Sequence, residues 1–302
     1  MDDFLDARGV GDLFHFLLFM LYLGTAPSEI SPILNTRAFL VLLGVSLGAG
    51  AAFAENPPPQ QINLNEFPAE TVNEVVVPVP SEVFAVLEKL GNPNWRAELG
   101  PAKTFSATAD RAQDALLLGT VIADGFIAVE AEDSERVKDI GRNVLTLAEA
   151  INVRKSVVAR SNSIIQKADA RQWDAVRREF DGALQDVNQA MAELNDEQLA
   201  QLVSLGGWLR GTQALTSIVD AKYSEQRAEL LYQPLLVEYF SRQLSKMSPR
   251  LRGKEIVGDI RRTLDKIDPL VSKPDGNIPP ESVTKIHNIT SGVVDRIRSK
   301  AG

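Results

Sequence analysis

Apolar residues recur every three or four positions through nearly all of the chain from residue 81 to residue 302, and this period constrains the fold more than any other feature. In a helix this spacing places side chains on one face, whereas a half-buried strand needs alternation of period two. No segment of 81–302 alternates for long enough to predict a strand. We therefore predict an all-α domain, either a multi-helix bundle or stacked helical hairpins. The clearest stripe consists of Val257, Ile260, Leu264, Ile267 and Val271.

The pattern predicts about eight helices in antiparallel or stacked pairs, joined mostly by short turns. Asp133-Ser134 and Asn195-Asp196 are predicted to be tight turns that supply N-caps. Pro234 lies inside one apolar helix and is interpreted as a kink. After a short helix at 81–90, the predicted helices cover 108–132, 134–151, 154–168, 171–194, 196–223, 224–247, 249–270 and 280–300.

A basic residue, an apolar run and a small-residue site follow one another in 37–54, which is typical of a secretory signal peptide. Arg37 precedes the run, and Ala52 and Ala54 end it. Signal peptidase requires small side chains at the first and third positions before the cut. We therefore expect cleavage before Glu55 and a periplasmic or secreted protein.

The alternative is that residues 38–54 are retained as a membrane anchor. This segment has 17 residues, the short edge of the roughly 17–25 that cross a bilayer. The acidic residues 1–36 do not fit a signal peptide, and we expect an over-extended or poorly ordered N-terminus; a membrane hairpin through 13–24 is the other interpretation. Residues 55–80 contain six prolines and are predicted to form an extended linker to the domain at 81–302.

Composition excludes several classes of protein. The chain has no cysteine, which excludes disulfides, a lipoprotein anchor, thiol catalysis and cysteine-held metal clusters. It carries 32 basic and 40 acidic residues, a net charge of −8, whereas nucleic-acid binding needs a basic face. We expect a protein partner in the cell envelope, no nucleic acid, and membrane contact only if 38–54 stays attached.

The sequence offers little of what catalysis needs. His287 is the one histidine after the predicted cleavage site, and neither a phosphate-binding loop nor a nucleophile elbow is present. We expect His287 to lie at the surface or partly buried in the last helix. The prediction is no metal, no cofactor and no catalytic residue; a non-enzyme is favoured, although chemistry by carboxylates alone stays open.

The segment 206–211 concentrates three glycines around Trp208 and Arg210. Each glycine inside a helix costs about 1 kcal/mol relative to alanine. One interpretation is close helix packing, with Trp208 in the core and Arg210 in an ion pair. The other is a groove in which Trp208 and Arg210 face a ligand or partner.

Asp124 lies among apolar residues of the predicted helix 108–132, so it needs a cationic partner. Arg154 and Arg160 are the candidates. A structural ion pair is the first interpretation, and an acid that faces the same ligand or partner groove is the second.

The sequence favours an exported, soluble, non-enzymatic interaction or scaffold module of the bacterial envelope. The first alternative is a helical bundle that binds a small ligand near Trp208 and Arg210. The second is a periplasmic domain with an N-terminal membrane anchor.

Overall fold

The computed structural model describes residues 93–273 and 276–299, apart from some side chains between residues 181 and 192. Within these ranges every regular element is a helix and none is a strand, so the predicted all-α class is confirmed. The predicted segments 1–36, 37–54 and 55–80, and the predicted helix 81–90, lie outside the described residues. The described helices belong to one compact unit.

The described ranges contain eleven α-helices rather than about eight. They are α1 (Trp95–Leu99), α2 (Arg111–Glu130), α3 (Ser134–Ala150), α4 (Arg154–Asp169), α5 (Trp173–Glu193), α6 (Glu197–Ala221), α7 (Glu225–Ala228), α8 (Pro234–Lys246), α9 (Pro249–Arg252), α10 (Glu255–Val271) and α11 (Pro280–Ser299), with a 3₁₀ turn at Glu229–Leu231.

The higher number has local causes. The segment predicted as one helix over 224–247 is divided into α7, the 3₁₀ turn and α8. The prediction that Pro234 kinks a helix is wrong. Pro234 begins α8, at a position where its missing N–H costs nothing. A second break at Gly253 separates α9 from α10. The five-residue helix α1 is too short for a periodicity to reveal it.

The two predicted tight turns differ in how they cap. The side chain of Asp133 accepts a hydrogen bond from the N–H of Arg136 and caps α3 as predicted. Asn195 ends the preceding segment with a positive φ of 54°. Asp196 makes no side-chain capping bond; instead its carboxylate lies 2.7 Å from Nη2 of Arg111. The second turn therefore ties α6 to the start of α2.

Helix α2 is the centre of the fold, and α3 and α6 pack against it, while α11 packs on α6. It is the one helix among the described residues that is long and apolar enough to cross a membrane, with a mean hydropathy of 1.5. However, 89% of this apolar window is buried inside the protein. Its apolar character matches its place between neighbouring helices.

Glycines bring the backbones of α2 and α6 close together. A Cβ on Gly206 would lie 2.9 Å from the carbonyl carbon of Leu116 and closer still to its oxygen. A Cβ on Gly119 would lie 2.7 Å from the N atom of Gly207. By contrast, Gly211 has nothing within 4 Å of such a Cβ. Two of the glycines, Gly119 and Gly206, therefore permit the close approach of the helices, and Gly211 does not contribute to it.

Candidate functional site

A cleft of about 220 Å³ lies where α2, α3, α6 and α11 meet the segment 97–105, which we call the strap. Its polar lining includes four cationic, three acidic and three neutral side chains. These are Lys103, Arg136, Arg210 and Arg298; Glu98, Asp124 and Asp139; and Asn143, Gln213 and His287.

The strap is fixed to the helices by backbone hydrogen bonds and by two buried side chains. Asn143 of α3 uses both ends of its amide: Oδ1 accepts from the N–H of Phe105 at 3.0 Å, and Nδ2 donates to the carbonyl of Lys103 at 2.8 Å. Phe105 and Leu99 are buried and anchor the two halves of the strap. The covering of the cleft therefore depends on a buried asparagine and two apolar side chains.

A buried cluster of two arginines and one aspartate forms the floor of the cleft. Nε of Arg210 donates to Oδ1 of Asp124 at 2.8 Å, and Nη2 of Arg298 donates to Oδ2 at 2.6 Å. The side chains of Arg210, Asp124 and Arg298 are 4%, 10% and 14% exposed. One carboxylate thus serves two buried guanidinium groups.

The predicted partners of Asp124 are wrong. Arg154 lies near Glu149, and Arg160 binds the carboxylates of Glu179 and Asp186 in α5. These arginines belong to α4, which packs mainly on α3 and α5. The expectation that Asp124 forms an ion pair is nevertheless correct.

Both arginines of the floor are held by backbone oxygens as well. Nη2 of Arg210 donates to the carbonyl of Glu98 in α1, and Nη2 of Arg298 also lies 3.3 Å from the carbonyl of Thr120. Burial lowers the pKa of the Arg298 guanidinium, the charge of Arg210 lowers it further, and Asp124 opposes both. The floor thus holds more positive charge than its carboxylate neutralises.

Two residues of the lining each have a buried polar atom without a hydrogen-bond partner within the described ranges. These atoms are Nε of Arg136 and Oε1 of Gln213. Arg136 does donate through Nη2 to the carbonyl of Leu99 at 3.4 Å, and Gln213 donates through Nε2 to Ser291 at 3.2 Å. A donor and an acceptor therefore remain unpaired on these two residues of the lining.

His287 is half-buried in α11, in agreement with the expectation for it. Its Nδ1 lies 3.3 Å from the carbonyl oxygen of Gln213 and 3.3 Å from the hydroxyl of Thr216. A carbonyl oxygen only accepts, so its contact with His287 is a hydrogen bond when Nδ1 carries the proton. No group of three or more potential ligand residues capable of holding a metal ion occurs among the described residues.

The structure separates two residues that the sequence placed in one candidate groove. Arg210 faces the cleft with Asp124, whereas Trp208 lies on another side of α6. There its ring packs against Phe240 with centroids 5.4 Å apart, and its Nε1 donates to Gln233 at 2.9 Å. Of the three candidate groove residues, Arg210 and Asp124 are together and Trp208 is not with them.

Sequence reasoning missed Arg298, Arg136, Gln213 and Lys103 as cleft residues. A signal existed for Arg298, because it stands four residues after the buried Val294 and continues the apolar stripe of α11. No comparable signal marks Lys103, which belongs to the irregular strap.

Comparison of the chain with protein-family models, curated proteins and solved structures found no match.

Proposed function

We propose that the helical domain is a non-enzymatic binding module that holds a small polar ligand in the cleft beneath the strap. The support for this is the unpaired Nε of Arg136 together with the unpaired Oε1 of Gln213. A buried polar atom without a partner costs about 1–3 kcal/mol. A ligand that pairs with both atoms would recover that free energy on binding.

The size of the cleft limits the ligand. Its volume of about 220 Å³ is below the roughly 300–1,000 Å³ of pockets for drug-sized molecules. A metabolite-sized compound fits this site better than a peptide or a large cofactor.

The test is a thermal-shift and native mass-spectrometry screen of the full-length chain against small polar metabolites, followed by Gln213→Leu. We expect Gln213→Leu to weaken binding of any hit about tenfold, because it removes an acceptor. Its melting temperature should change little, since removal of the unpaired Oε1 offsets loss of the hydrogen bond to Ser291. The control is Gln189→Leu in α5, an exposed glutamine that donates to Glu193. A hit that binds Gln213→Leu as tightly as wild type would contradict the proposal.

The interaction or scaffold module is the weaker proposal. The described residues expose two large apolar side chains, Leu194 and Leu235, each 45% exposed and on different elements. A stable protein interface buries roughly 800 Å² per partner around an apolar core. The described surface offers little for such a core.

We also propose export through the signal peptide at 37–54, supported by Ala52 and Ala54 before Glu55. The full-length gene, expressed in a bacterial host with a C-terminal tag, should yield a periplasmic protein whose N-terminal residue is Glu55. An intact mass that includes residues 37–54, recovered from the membrane fraction, would support the retained anchor instead.

A further inference from the structure

The charges of the cleft are unbalanced in a way that its hydrogen bonds do not explain. Four cations line it, and Asp124 is the one carboxylate of the lining that pairs with any of them in the described ranges. The other two carboxylates are engaged elsewhere. Asp139 binds Arg142, and Glu98 accepts from the hydroxyl of Ser217 at 3.0 Å.

Arg136 is the most unusual of these cations. It is half-buried, and among the described residues it forms no ion pair. Its Nη2 donates a long hydrogen bond of 3.4 Å to the carbonyl of Leu99, while its Nε has no hydrogen-bond partner in the described ranges. A guanidinium presents its donors as a planar fork that matches a carboxylate in two places. Arg136 therefore lacks the partner for which its geometry is best suited.

From this arrangement we propose that the ligand of the cleft is a small carboxylate, which binds the guanidinium fork of Arg136 above the Arg210–Asp124–Arg298 floor. This inference rests on the proposed binding function and names the ligand class. Because Asp139 already pairs with Arg142, four cations and two carboxylates remain on the lining, and their net positive charge attracts an anion. Lys103, on the exposed strap, adds attraction at the entrance.

The floor residues and Gln213 have roles separate from that of Arg136. Asp124 keeps Arg210 and Arg298 in place. The net positive charge of these three residues acts on the cleft, where charge interactions are stronger than in bulk water because the cleft is partly dehydrated. Oε1 of Gln213 accepts from a hydroxyl or amino group of the ligand. A small hydroxy- or amino-carboxylate offers both an acceptor for Arg136 and a donor for Gln213.

The experiment compares two ligands of the same shape and different charge. The full-length chain is titrated calorimetrically with lactate and with lactamide, and with inorganic phosphate as a third probe. We expect lactate to bind at least tenfold tighter than lactamide, which keeps the hydroxyl and loses the charge. Arg136→Gln should lower the affinity for lactate about ten- to a hundredfold and leave the affinity for lactamide nearly unchanged.

Two further variants control for the overall charge and for folding. Arg296→Gln removes the same charge two residues from Arg298, at a side chain 52% exposed and paired with Asp259; its lactate affinity should stay within twofold of wild type. Lys103→Gln changes an exposed side chain of the strap, so it should not disturb folding. It should lower the affinity for lactate a few-fold, and this difference from wild type should disappear in high salt.

The possible outcomes separate the two proposals. If lactamide binds as tightly as lactate, or phosphate binds more tightly than lactate, the carboxylate inference is overturned and the binding function stands. Equal losses in Arg136→Gln and Arg296→Gln would also overturn it. If neither the screened metabolites nor lactate, lactamide and phosphate bind the chain, both the binding function and the carboxylate inference fail.

Discussion

Replacing Gly206 by alanine tests whether the close contact of α2 and α6 holds the fold together. The new Cβ would lie 2.9 Å from the carbonyl carbon and 3.1 Å from the Cα of Leu116. Both atoms belong to the backbone of α2, so no side chain can rotate to make room. The helices would have to separate by about 1 Å in an interior that is packed as densely as a crystal.

The expected free energies can be worked out from two opposing effects. Overpacking costs about 1–3 kcal/mol, and a rigid backbone on both sides favours the upper end. Alanine returns about 1 kcal/mol of helix propensity relative to glycine. The net loss is about 2 kcal/mol, which lowers the melting temperature by about 4–8 °C in a domain of this size.

Two glycines of the same helix supply matched controls. Gly207→Ala places its Cβ 3.5 Å from the carbonyl oxygen of Gly119, an ordinary contact, and Gly211→Ala meets nothing within 4 Å. We expect Gly211→Ala to raise the melting temperature by about 2–4 °C, because the propensity gain stands alone. Thermal unfolding followed by circular dichroism measures all three. If Gly206→Ala melts at or above wild type, the packing argument is refuted.

Two further predictions concern buried charge and acid stability. Asp124→Asn leaves Arg210 and Arg298 without their carboxylate, so the free energy of unfolding measured by chemical denaturation should fall by about 3–5 kcal/mol. The control Glu135→Gln changes a side chain that is 80% exposed and should lower it by less than about 1 kcal/mol. Equal losses in the two variants would mean that the floor is not an energetically buried cluster. The hydrogen bond from Lys167 lowers the pKa of Glu179, burial opposes this, and Arg160 and Ser163 lower it further, so the carboxylate pKa lies below its ordinary value of 4.5. The stabilisation is therefore fully present above pH 4.5 and is lost as the pH falls through the lowered value. Denaturant midpoints should show a smaller loss of stability on acidification below pH 4.5 in Glu179→Gln than in wild type, and identical acid profiles would contradict this assignment.

The helices were predictable because each one buries a continuous stripe, and a stripe is visible in the sequence. The bounds of α3, α4 and α11 differ from the predicted ones by no more than one residue at either end. The errors occur where local chemistry overrides periodicity. Pro234 and Gly253 interrupt stripes that otherwise continue, and α1 is shorter than two turns.

The candidate site was predictable only in part, because spacing along one helix does not determine which helices meet. Asp124 and Arg210 could be singled out as a buried acid and a glycine-flanked cation, but their contact joins residues 86 positions apart. Arg298, a further 88 positions along the chain, completes the cluster. Pairing Asp124 with Arg154 or Arg160 assumed that neighbouring helices in sequence supply the partner, and α2 instead turns that face to α6 and α11.

Trp208 illustrates the same limit from the other direction. Positions 208 and 210 are close in sequence, yet an α-helix rotates by about 100° per residue, so the two side chains point to well-separated sides. The ring of Trp208 meets Phe240 of α8, and the guanidinium of Arg210 meets Asp124 of α2. The glycine-rich segment therefore does two jobs: Gly206 lets α6 approach α2 closely, and that approach brings Arg210 to the carboxylate. The packing and binding interpretations of this segment are compatible, because the first creates the geometry that the second requires.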